Sequence, residues 1–204
     1  MVLKILFMKV IYMNFKVEKL CKKYYKNEVI SNFNYDFKVG LYLLTGVNGS
    51  GKSTLLKCLA KIITVSNDNC RMSSIKKAYL CEKCVVSNGK PKTYLKNIMY
   101  LNKTCFDIEE LLNKWKIANK AMWKLSKGNI QKIGILAMLI SESEIFFFDE
   151  PTDALDQDSI LLFLEAVKEL SKDKIVVIAT HEIEYFKGLD YVQISLDQYR
   201  ETVE

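Results

Sequence analysis

At 204 residues, half of them hydrophobic, the chain has material for one large domain, or for one domain carrying an inserted lobe. No apolar run reaches the roughly 18 residues that a spanning helix needs, which excludes a membrane helix. The formal net charge is +6, yet positions 76–132 hold 13 Lys or Arg against 4 acids, a net of +9, which leaves −3 for the remainder. A basic middle of this kind suits a solvated helical face, a nucleic acid, an anionic lipid surface or an acidic partner.

The opening twelve residues, MVLKILFMKVIY, lack the uninterrupted apolar run and small-residue cleavage site of a signal peptide. They read as an extra edge strand or as an extension ahead of a start at Met13. With no export signal, the 6 Cys are expected as reduced thiols of a cytosolic protein. Cys81 and Cys84 have metal-ligand spacing, but the chain has 1 His and lacks a second close Cys pair, which argues against zinc.

Positions 13–45 read as short strands. Phe15, Val17 and Leu20 alternate loosely with polar residues, and Phe33, Tyr35, Phe37 and Val39 alternate strictly. Asn27-Glu28 predicts the hairpin turn between them, so an antiparallel β layer is expected first. Tyr24 and Tyr25 fall near that turn, where an exposed ring could stack on a base. Leu41–Thr45 then reads as a buried strand. Gly46-Val47-Asn48-Gly49-Ser50-Gly51-Lys52-Ser53-Thr54 follows and fits the phosphate-binding pattern G-x-x-x-x-G-K-[ST] at every fixed position. A helix is predicted over Thr54–Ile63. Strand, glycine-rich loop and helix N-terminus together make an anion site, with backbone N–H groups and the helix dipole turned on the phosphates. Lys52 is expected to reach the β- and γ-phosphates, and the Ser53 hydroxyl to sit on Mg²⁺.

Ile75–Leu80 predicts a strand, and Ser87–Pro91 a loop. Thr93–Tyr100 and Ile108–Trp123 predict helices, the latter from Leu111, Leu112, Trp115, Ala118 and Met122 at three- or four-residue spacing. A small, Lys-rich helical lobe is therefore expected between two halves of an α/β core. Leu125-Ser126-Lys127-Gly128-Asn129 precedes an apolar helix, Ile133–Ile140, with Ser126 as its N-cap candidate. A hydroxyl and a glycine at a helix N-terminus offer a second phosphate-binding surface, which two copies facing each other would use.

Ile145–Phe148 is a continuous apolar run that ends in Asp149 and Glu150. A fully buried parallel strand has this form, and its C-terminal end is where α/β sheets place ligands. Asp149 suits the Mg²⁺ shell, and Glu150 can polarise a water for attack on a γ-phosphate. After an amphipathic helix at Ser159–Leu170, Ile175–Ala179 is a second buried strand. It delivers His181 to the same sheet edge, where an imidazole can contact the γ-phosphate. Tyr191–Leu196 reads as a last strand.

Over residues 15–196, these motifs and their order resemble the nucleotide-binding domain of ATP-binding cassette (ABC) transporters. Gly46–Thr54 stands at Walker A, Ile145–Asp149 at Walker B, and Glu150 at the catalytic glutamate. Leu125–Asn129 stands at the signature motif, Ala154-Leu155-Asp156 at the D-loop, His181 at the switch histidine and Tyr24 at the adenine-stacking aromatic. The resemblance implies an α/β, RecA-like phosphate-loop NTPase core (13–80 and 125–204) with an N-terminal antiparallel β layer, an inserted helical subdomain (83–124) and an extension (1–12). It implies ATP and Mg²⁺, the latter held by Ser53, Asp149 and Glu82. It also implies head-to-tail pairing with a second cassette, whose nucleotide meets Ser126 and Gly128. A permease on a separate chain would hold the subunit at the cytoplasmic face of a bacterial membrane, with no direct nucleic-acid contact. Two departures stand out. Lys127 replaces the usual first signature glycine, with Asn129 for Gln, and Glu82 stands at the Q-loop glutamine. Similar departures occur in cassettes resembling bacterial exporters of peptides, drugs or antibiotics, so export is expected. The alternatives are a soluble family member acting on ribosomes or nucleic acid, and an ATP-gated module that does not hydrolyse.

Overall fold

The computed structural model describes residues 13–82 and 88–199. The expectations for residues 1–12 and for Cys84 lie outside these described residues.

An antiparallel hairpin comes first, of β1 (Asn14–Tyr24) and β2 (Asn27–Lys38), with Phe15 opposite Phe37 and Tyr24 opposite Asn27. A short strand, β4 (Arg71–Met72), pairs with β1 on its other side. The turn is Tyr25-Lys26 rather than Asn27-Glu28, and Tyr25 takes a left-handed φ of 55°. Asn27 belongs to the ladder, and Glu28 is drawn into it by an ion pair with Lys23 at 2.7 Å. The loose spacing of Phe15, Val17 and Leu20 has a cause in a register shift between Val17 and Leu20, where Lys19 has φ 55°. An extra residue there returns Leu20 to the buried face.

The central sheet is parallel throughout, in the order β5 (Lys77–Leu80), β6 (Ile145–Asp149), β7 (Ile175–Ala179), β3 (Gly40–Thr45), β8 (Val192–Ser195). Every residue of β6 and β7 is buried, as their unbroken apolar runs require when both faces are covered. Phe147 turns to one face, with the β layer and α1 (Lys52–Leu59). Phe146 and Phe148 turn to the other, with α4 (Lys127–Leu139) and α5 (Gln157–Leu170). Each fully buried Phe contributes about 2–3 kcal/mol of transfer free energy.

Between the halves lie α2 (Pro91–Asn102) and α3 (Ile108–Lys114). Their apolar side chains Leu95, Ile108 and Leu112 join the same core cluster as α4 and β6. The helix predicted to run from Ile108 to Trp123 stops at Lys114, because Lys116 adopts φ 54° and turns the chain. Trp115 and Met122 are still buried, the first from the cap that closes α3 and the second from a 3₁₀ turn at Met122–Lys124, so their shared helical spacing is coincidental. The helix after the phosphate loop likewise ends at Leu59, ahead of Lys61 with φ 59°.

Candidate functional site

β3 ends in the loop 46–51, which opens α1. The loop needs its glycines. Gly49 has φ 77° and Gly51 φ 95°, and a Cβ on Gly51 would stand 2.8 Å from Val29 Cγ1. Lys52 is buried, and its Nζ donates to the Gly46 carbonyl at 2.8 Å, which holds the ammonium within the loop. Ser50 Oγ is buried and has no hydrogen-bond partner within the protein. A fixed cation, an unmatched hydroxyl, glycines leaving room for close approach and a helix without an acid in its first turn fit a phosphate group.

The end of β6 supplies the carboxylates. Ser53 Oγ donates to Asp149 Oδ1 at 2.9 Å, and Tyr79 from β5 donates its hydroxyl to Oδ2 at 3.0 Å. Burial nonetheless pushes the Asp149 carboxyl above the usual carboxylate range. The two donors fix its direction beside the phosphate loop. Ser53, Asp149 and Glu82 offer oxygen ligands only, which suits Mg²⁺.

Glu150 sits in a left-handed backbone with φ 45° and donates its N–H to Ala179 O at 2.9 Å, across the end of β7. This conformation is costly for a non-glycine residue and aims the side chain into the cleft rather than along the sheet. Its Oε2 accepts from the His181 N–H at 3.3 Å and lies 3.1 Å from His181 Nδ1. Burial is the main force raising the Glu150 pKa, and the adjacent His181 opposes it. Asp153 completes the group, with ligand atoms of Glu150, Asp153 and His181 all within 4.8 Å of one another.

These parts line one cleft of about 520 Å³. The structure brings together there the expected Tyr24, Asn48, Gly49, Ser50, Gly51, Lys52, Ser53, Thr54, Glu82, Glu150 and His181. Asp149 lies beneath, reached through Ser53. Gly46 begins the loop, where a Cβ would approach Ser50 Oγ to 2.7 Å. Sequence reasoning missed Val29 and Asp153 in the lining and Tyr79 behind Asp149. Asp153 lies three positions after Glu150 in the turn that follows β6, and its residue type there carries no signal for the cleft.

Ser126 and Gly128 do not line this cleft. Ser126 is the N-cap of α4, its hydroxyl accepting from Asn129 N at 3.2 Å. At Gly128 a Cβ would meet the Ala154 carbonyl oxygen at 2.4 Å, which is a reason for glycine within the chain itself.

A parallel sheet with a strand–loop–helix phosphate cradle and a buried aspartate at the end of β6, one strand removed from β3, defines a phosphate-loop nucleotide-hydrolase fold. More narrowly, the chain belongs to the ABC transporter family, whose model matches residues 30–153. It is 31% identical over 209 residues to the arginine transport ATP-binding protein ArtM of Bacillus subtilis, covering 90% of this chain and 87% of ArtM. A putative ABC transporter ATP-binding protein from Pyrococcus furiosus superposes with TM-score 0.77 at 22% identity, over 92% of this chain and all of that one. A dimeric ATP-binding cassette in a post-hydrolysis state, bound to ADP and phosphate, superposes with TM-score 0.74 at 18% identity, over 89% of this chain and 94% of that one.

Proposed function

We propose that this chain is the ATP-hydrolysing subunit of a transporter, working as a head-to-tail pair of cassettes that drives a permease on a separate chain. The observation that carries this reading is the meeting of Glu150 and His181 in one cleft with Lys52 and Ser53. Family membership supports the nucleotide, and the cleft supports chemistry upon it. Tyr24, partly exposed at the rim, offers a face for the adenine. Lys52 and the N–H groups of the loop bind and orient the phosphates. Ser53 and Asp149, with Glu82 beside them, would hold Mg²⁺, which neutralises charge on the β- and γ-phosphates. Glu150 takes the proton of the attacking water, and His181 holds the Glu150 carboxylate in place. This is phosphoryl transfer by positioning and electrostatics.

The other half of the site is supplied by Ser126 and Gly128 of a partner cassette. Neither lines the chain's own cleft, which supports that arrangement. Family membership and relatives named as transport ATP-binding proteins support a separate permease and a place at the cytoplasmic membrane face; among the described residues no helix is long and apolar enough to cross a membrane. Glu82 and Lys127 favour export of a peptide, drug or similar small molecule, whereas ArtM is named for arginine transport. Flux measured in vesicles carrying the chain and its permease decides direction. The enzymatic reading is tested by ATP turnover. Wild type should exceed Glu150→Gln by about 100-fold or more; equal rates would defeat it.

A further inference from the structure

β5 lies at one edge of the central sheet and pairs in parallel with β6, so that Tyr79 stands opposite Phe147, two residues short of Asp149. Tyr79 and Phe147 turn to the same face, where both pack in the cluster of the β layer and α1. Asp149 follows Phe147 on that face, about 6.6 Å further along the strand. A phenol leaning along its strand spans that gap, and its hydroxyl arrives 3.0 Å from Asp149 Oδ2. The shorter side chains of Ser, Thr or Asn would not reach. Asp149 is 2% exposed, so little water is at hand to replace a lost donor. Ser53 Oγ takes the other oxygen, Oδ1, at 2.9 Å. The carboxylate is thus held at both oxygens, by donors that differ in kind. Ser53 belongs to the phosphate loop and lines the cleft, whereas Tyr79 belongs to the sheet and does not. Burial, with the Asp149 carboxylate beside it, raises the Tyr79 pKa well above its ordinary value, so the hydroxyl stays a donor.

We propose that Tyr79 is a positioning residue for the metal site. By holding Oδ2 it fixes the rotation of the Asp149 carboxylate and keeps Oδ1 on the Ser53 side, where Mg²⁺ would be held. The inference rests on the reading of Ser53 and Asp149 as Mg²⁺ ligands, and adds to them a residue that touches neither metal nor nucleotide. Its physical basis is that a hydrogen bond to a ligating carboxylate sets that ligand's direction, and that a ligand oriented in advance loses little freedom when it meets a cation. Without the hydroxyl, a buried carboxylate oxygen loses its partner and the carboxylate is released to turn away from the loop.

The test uses the whole chain, a non-hydrolysable ATP analogue, and Mn²⁺ in place of Mg²⁺, since electron paramagnetic resonance counts free Mn²⁺ directly. Tyr79→Phe, Asp149→Asn and the double variant are compared with wild type. Analogue affinity in EDTA reports whether the cleft is intact. For Tyr79→Phe the expected result is unchanged analogue binding in EDTA and Mn²⁺ affinity of the chain–analogue complex weakened about 10- to 100-fold. Turnover should need correspondingly more Mg²⁺, yet approach the wild-type kcat when Mg²⁺ is saturating. In the Asp149→Asn background the same Tyr79→Phe change should have no further effect on Mn²⁺. Unchanged Mn²⁺ affinity in Tyr79→Phe overturns the proposal. Loss of analogue binding in EDTA also overturns it, because that marks a purely structural role. So do effects of the two substitutions that simply add, because these place the influence of Tyr79 elsewhere. If Asp149→Asn itself leaves Mn²⁺ affinity as in wild type, the reading of Asp149 as a metal ligand fails and takes this inference with it. If Asp149→Asn weakens Mn²⁺ binding and Tyr79→Phe does not, this inference alone fails.

Discussion

The N-termini of α1 and α4 look alike in sequence, each a serine- and glycine-bearing turn before an apolar helix, yet the fold treats them differently. α1 is preceded by Gly51 in a left-handed conformation, with no side chain capping its N–H groups. Its cation, Lys52, is buried and held by the loop carbonyl of Gly46. α4 is capped by its own Ser126 and carries an exposed Lys127. The first terminus therefore leaves its donors to an incoming phosphate and places its charge in advance. The second satisfies itself and presents its charge to solvent. One cradle is complete within a chain; on the proposed reading the other is a lid for a partner cassette's nucleotide.

The largest expected effect breaks the first terminus at its chemistry. Glu150→Gln should lower kcat about 100- to 10,000-fold while leaving nucleotide affinity near wild type, as read by turnover and analogue binding. A drop in affinity alone would mean that Glu150 binds rather than catalyses. Next comes Gly51→Ala, which meets both a left-handed backbone and Val29. It should cost about 1–3 kcal/mol and abolish analogue binding. On α4, Gly128→Ala should destabilise by a similar amount through Ala154, yet leave binding to its own cleft intact. If the two alanine variants lose binding equally, the distinction between cradle and lid fails.

Smaller effects sharpen the same contrast. Ser126→Ala removes a cap worth about 1 kcal/mol, which corresponds to about 2–4 °C in a chain of this size. Thermal melting reads it, and ATP-driven pairing should weaken in parallel. The pH dependence has a definite sign. The raised pKa of Glu150 means that the folded state favours its protonated form. This group therefore adds stability as pH falls, between the ordinary carboxylate range and its raised value, while turnover is lost over the same interval. Melting and kcat measured against pH should move in opposite directions there; Glu150→Gln should remove the Glu150 part of the melting trend, leaving that of the likewise raised Asp149. The smallest effect concerns the basic middle of the chain. Lys92 is engaged by Glu109, which leaves Lys90 and Lys96 exposed to meet an anionic membrane surface. Their replacement by Glu should modestly weaken recruitment to vesicles containing the permease; unchanged recruitment removes that role.

Much of the fold was legible because burial on both faces of a sheet leaves an unmistakable apolar run, as at Ile145–Phe148 and Ile175–Ala179. The phosphate loop was legible because its glycines answer a geometric demand. Turn chemistry was less so. Tyr25 and Lys116 both adopt left-handed backbones that neither residue type advertises, which moved the hairpin turn and ended α3 early. Trp115 and Met122 then misled by being buried from the cap of α3 and the 3₁₀ turn beyond it. In the site, residues delivered by strand ends were expected. Those delivered by tertiary proximity were not, since nothing in the sequence brings the Tyr79 hydroxyl to Asp149 or Lys132 to Asp156, which is 24 positions away.

The central claim is that each working site is shared between two chains. It is tested most directly by mixing two inactive cassettes, Lys52→Ala and Ser126→Glu. In a head-to-tail pair of one with the other, the defects fall on the same site and leave the second site whole. The account predicts that an equal mixture recovers about a quarter of wild-type ATP turnover per cassette, the statistical share of pairs with one intact site. A mixture no more active than its two components would contradict it.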